Sequence, residues 1–162
     1  MSTEEILNRL LAMLWAPQNV TVPPSIPWPE VVELARINDV RSLLHAAIRQ
    51  ASIDVPQPIQ EDLRRIYYQT AATNLVRFEV LGQTLEALSA VNTPLLLLKG
   101  PALAETVYGN VALRVMGDAD LTVPVERVQE CRQVLLELGY SPTEVEPVPG
   151  AQTAYRLSLI HI

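Results

Sequence analysis

Asp118 and Asp120 stand one residue apart at the head of an apolar run, Gly117-Asp118-Ala119-Asp120-Leu121-Thr122-Val123. In an extended strand, residues i and i+2 share a face, so the two carboxylates are expected to point the same way. Two anions held that close repel unless a cation neutralises them. A hard divalent ion with oxygen ligands, Mg²⁺ above all, suits such a pair. A solvated turn ahead of a strand is the plainer alternative.

A second apolar run, Leu95 to Leu98, ends in Lys99-Gly100-Pro101. Lys99 is the only lysine in the chain. It reads either as a surface charge or as a counter-charge for phosphate. Gly100 either supplies a tight turn or lets an anion approach the backbone. Arg114 is a structural ion-pair partner or a site cation. Tyr108 reads as a core side chain ahead of a catalytic one, and His45 as a packed or partly exposed helix residue.

The elements around these residues follow from apolar spacing. Ser2 and Glu5 form a capping-box pattern ahead of Ile6, Leu10, Leu11 and Leu14, which fall on one helical face. A proline-rich loop runs from Pro17 to Pro29, with Trp28 placed to staple the helix that opens at Pro29. Helices are predicted from about 29 to 37 and from about 40 to 51. A long helical pattern runs from about 58 to 90, through Ile59, Leu63, Ile66, Thr70, Phe78, Leu81, Leu85 and Leu88, with Asn74 interrupting the seam. The pattern then changes: a strand over 94–98, a helix over 101–108, a strand over 118–123 and an amphipathic helix over 125–138 stopped by Gly139. A third strand is expected from Tyr140 onward, among prolines.

Composition bounds the function classes. The chain has 162 residues, 49% of them apolar, enough for a core. A net charge of −6 argues against a protein that coats long nucleic acid. The single cysteine, Cys131, forms no internal disulfide and fits a reducing, cytoplasmic setting. It reads as a packing residue. Glu4 and Glu5 stand where a secretory signal would be basic, and no run is long enough to span a membrane.

A strand, a Lys-Gly turn, a helix and then a strand opening with Asp-x-Asp together resemble the nucleotidyltransferase superfamily that shares its fold with DNA polymerase beta. The chain is most similar to an uncharacterised bacterial subgroup, on Leu98, Lys99, Gly100, Tyr108, Arg114, Asp118, Asp120 and Leu121. The motifs span 95–140, and the helices before them are similar to those preceding the core in that subgroup. The resemblance implies an α+β chain: a helical region over 1–90, then over 91–156 the first half of a nucleotidyltransferase core with a mixed β-sheet. It implies transfer of a nucleoside monophosphate from an NTP to an unknown acceptor, a small molecule, a protein side chain or an RNA end. Asp118 and Asp120 would be catalytic metal ligands for a two-metal Mg²⁺ site, Lys99 and Gly100 would bind the phosphates, and Arg114 would do the same or orient Asp118. The superfamily's usual Gly-Ser is replaced here by Lys99-Gly100-Pro101. Its third carboxylate has no downstream aspartate to match it; only Glu144 and Glu146 follow.

The final residues, 157–162, read as the translated end of a sequencing-transposon adapter. The natural chain is therefore expected to continue past Arg156 and to carry the third ligand there, leaving this fragment inactive. The competing expectation is a non-catalytic nucleotide-sensing or partner-binding module on the same fold.

Overall fold

Ser2 caps the first helix as its spacing to Glu5 predicts. The Glu5 amide donates to Ser2 Oγ at 3.2 Å, and the Ser2 amide donates to a Glu5 carboxylate oxygen at 2.8 Å. This reciprocal pair occupies amides that a helix start leaves without intrahelical partners. The computed structural model describes residues 1–16 and 20–141. They fall into two units: residues 1–73 with 110–115, and residues 74–109 with those from 116 on.

The first unit contains α1 (Thr3–Ala12), α2 (Trp28–Ile37), α3 (Arg41–Ala51) and the opening part of α4 (Gln57–Ala90). Its core contains Ile6, Leu7, Leu10, Trp28, Val31, Leu44, Ile48 and Leu63; of the face predicted for α1, Ile6 and Leu10 are buried and Leu11 packs partly buried beside them. Each such side chain contributes on the order of 2 kcal/mol by leaving water. Trp28 is itself the first residue of α2 and is buried, with Pro29 in the first turn where a missing N–H is harmless. His45 of α3 is buried, its ring centroid 5.0 Å from that of Tyr67. Asn110 Nδ2 donates to the Tyr67 hydroxyl at 2.9 Å, while Asn110 Oδ1 accepts from the Ala112 amide at 2.9 Å.

The second unit contains the rest of α4, β1 (Leu96–Leu98), α5 (Lys99–Leu103), a π turn (Ala104–Tyr108), β2 (Asp120–Thr122), a 3-10 turn (Val125–Arg127) and α6 (Val128–Glu137). The strands pair antiparallel, Leu96 opposite Thr122, Leu97 opposite Leu121 and Leu98 opposite Asp120. Helices beside an antiparallel ladder make the chain α+β, the expected class. The expected third strand falls, from residue 142 on, outside the described residues, as do Glu144, Glu146 and the 157–162 tail.

Both strands are shorter than predicted, for physical reasons. Pro94 has no N–H to give a ladder. At the other end Lys99 leaves the extended conformation at φ 53° and α5 follows, so no extended backbone remains opposite Ala119 and Asp118. The helix predicted over 101–108 starts at Lys99 and passes into the π turn, which Gly109 ends at φ 59°. The helix predicted over 125–138 has a 3-10 first turn. Gly139 ends it with a Schellman pattern: its amide donates to Leu136 O at 3.0 Å, and the Tyr140 amide donates to Leu135 O at 2.9 Å. Asn74, the interruption in the seam of α4, is almost wholly buried. No helix among the described residues is long and apolar enough to cross a membrane.

Candidate functional site

The site is assembled at the end of the ladder in the second unit. Leu98 is the last extended residue of β1, and Lys99 adopts φ 53°. A left-handed backbone costs an L-residue roughly 1–2 kcal/mol, because Cβ crowds the following carbonyl. Lys99 Nζ lies 2.8 Å from Asp120 Oδ2. The lysine side chain is 70% exposed and the aspartate 24%, so this ion pair sits at the water boundary. Its strength there is modest, and its significance is positional. It joins the residue that ends β1 to the residue that opens β2. Gly100 follows in the first turn of α5, half-buried.

Asp118 lies outside the ladder, two residues before Asp120. Strand alternation therefore does not set its direction. It lines a small recess with Arg77, Phe78, Leu81, Pro101, Met116 and Ala119. The walls come from α4, from the first turn of α5 and from the segment leading into β2. Met116 and Ala119 are buried, which fixes the backbone on either side of Asp118. Arg77 Nη1 donates a hydrogen bond to the Met116 carbonyl.

The structure thus joins Lys99 to Asp120 and places Asp118 beside Pro101. Arg114 belongs to residues 110–115 and falls in the first unit, where it is half-buried. Tyr108 closes the π turn, half-buried. Arg77 was not singled out from the sequence. A signal existed: it stands four residues before Leu81 and three after Asn74, so it shares the buried stripe of α4.

The donor set is one test of a divalent cation. Two carboxylates offer hard oxygen ligands, and Mg²⁺ commonly takes one or two of these, filling its remaining positions with substrate phosphates and water. Among the described residues, no group of three His, Cys, Asp or Glu side chains forms a cage by itself. By donor chemistry alone, the two carboxylates would suit a cation that arrives with a polyphosphate supplying further oxygen ligands.

An α+β chain with Lys-Gly and Asp-x-Asp meeting at one ladder end has the features of a nucleotidyltransferase-like fold. The model of a family described as "Uncharacterised nucleotidyltransferase" matches residues 24–160, and the chain belongs to that family. No curated protein and no solved structure matches the chain.

Proposed function

We propose that the protein transfers a nucleoside monophosphate from an NTP to an acceptor, releasing pyrophosphate. The observation that carries this reading is the 2.8 Å contact between Lys99 and Asp120, which puts a cation and a carboxylate of the two motifs at one place. In the proposed site Asp118 and Asp120 hold Mg²⁺, which, when bound, neutralises phosphate charge and polarises the phosphoryl group. Lys99 exchanges its carboxylate partner for a phosphate oxygen, a charge-assisted bond of the same kind. Gly100 leaves the backbone open to that oxygen. Arg114 is the further cation that the resemblance assigns to the phosphates.

The acceptor class is a small molecule, a protein side chain or an RNA end. The net charge of −6 disfavours a long nucleic acid. The single cysteine fits a cytoplasmic setting.

Thermal unfolding in the presence of each of the common NTPs, with and without Mg²⁺, tests the proposal. The expected result is Mg²⁺-dependent stabilisation by at least one NTP, as binding to the folded state requires. Asp118→Asn and Asp120→Asn should each remove it. No shift with any NTP, or an undiminished shift in both variants, would overturn the assignment.

A further inference from the structure

We infer that Arg77 is a positioning residue for Asp118: it clamps the backbone that carries this carboxylate and so sets the Mg²⁺ requirement of the site. The inference rests on the nucleotidyltransferase reading above and names a residue that reading does not use.

Three observations converge on Arg77. Its guanidinium donates to the carbonyl of Met116, two residues before Asp118, in a part-buried setting. Its side chain lines the same recess as Asp118, Pro101 and Ala119. The backbone it grips lies in no strand: β2 begins only at Asp120, so the ladder fixes Asp120 but leaves Asp118 to other restraints. A free carbonyl in such a segment must find a donor when buried. Arginine supplies one with a planar, permanently charged fork on a stem long enough to reach across from a helix.

Burial holds Met116 and Ala119 in place, but apolar contact restrains direction weakly. A hydrogen bond from a charged donor restrains it more strongly, because such bonds are shorter and about twice as strong as neutral ones. The guanidinium also places positive charge at the recess that Asp118 lines. Groups that orient metal-binding side chains without touching the ion set affinity through geometry. Arg77 therefore acts on the cation through Asp118, whereas Lys99 acts on the phosphate side.

The test measures the Mg²⁺ concentration that gives half-maximal thermal stabilisation by the NTP found most stabilising. Arg77→Met keeps the apolar stem in the recess and removes the donors. The expected result is a rise in that Mg²⁺ midpoint on the order of tenfold. Leu81→Ala, a packing change in the same recess, should lower the melting temperature and leave the Mg²⁺ midpoint in place. If Arg77→Met does not fold, Arg77→Gln takes its place with the same expected rise. An unchanged midpoint in the folded Arg77 variant, or an equal rise in Leu81→Ala, would overturn the positioning role while leaving the transferase reading intact. Absence of any NTP effect on the unaltered protein would sink both.

Discussion

Lys99 Nζ contacts Asp120 Oδ2 one residue beyond the last pair of the ladder, Leu98 with Asp120. The aspartate is thus held twice, by its backbone in β2 and by its side chain across the strand end. The lysine is held only through its own unusual backbone turn. Under the proposed function, this asymmetry would make Lys99 the member that changes partner.

Lys99→Met should separate binding from stability. A largely exposed ion pair contributes about 0–1 kcal/mol, so the melting temperature should move by no more than about 3 °C. Removing a charged donor to phosphate should weaken NTP binding in excess Mg²⁺ on the order of tenfold, measured by calorimetric titration. A fall of many degrees with unchanged NTP affinity would assign Lys99 to the fold alone.

His45 should make the first unit sensitive to acid. Burial, foremost, and the nearby charges of Arg49 and Arg64 hold its pKa below the ordinary histidine value. In the unfolded chain the same group titrates near about 6.5, so below that pH the unfolded state takes a proton that the folded state refuses. Stability is then full above about pH 6.5 and declines as the pH falls toward the depressed folded value. Urea denaturation between about pH 5 and 7.5 should show this slope, and His45→Gln should flatten it. An identical slope in the variant would place the acid sensitivity on other groups.

Two glycines should respond oppositely to alanine. Gly139 sits at φ 89° in the cap of α6, so Gly139→Ala should destabilise by about 1–2 kcal/mol. Gly82 lies inside α4, and a Cβ there meets nothing within 4 Å. Gly82→Ala should therefore stabilise by about 0.5–1 kcal/mol, because it restricts the unfolded chain more than the folded one. Chemical denaturation of both variants checks the pair, and equal signs would contradict it.

How much could be read in advance depended on the range of the interaction. The Ser2–Glu5 box and the faces of α1 and α4 are local, written in spacings of three and four, and α2, α3 and α4 start and end within about one residue of expectation. Strand ends were harder, because β2 stops where its partner stops. Nothing in Asp118 or Ala119 announces that the facing strand leaves the extended conformation at Lys99. The Lys-Gly and Asp-x-Asp motifs were legible because they carry charge where a strand ends. The grip of Arg77 on Met116 was not, since it joins positions 39 apart through a backbone carbonyl that every residue possesses. The family match begins at residue 24, well ahead of the motifs, and takes in α2 to α4. Those helices are read mainly through apolar stripes, and packing stripes look alike across unrelated proteins.

The positive φ of Lys99 sets two demands against each other. For the backbone alone, glycine is the natural occupant of that position, and asparagine the next best. Neither carries charge. A laboratory selection for thermal tolerance would therefore drift toward glycine at 99 and discard the only ammonium side chain in the protein. Position 99 is one at which evolvability toward stability and retention of the proposed chemistry run in opposite directions.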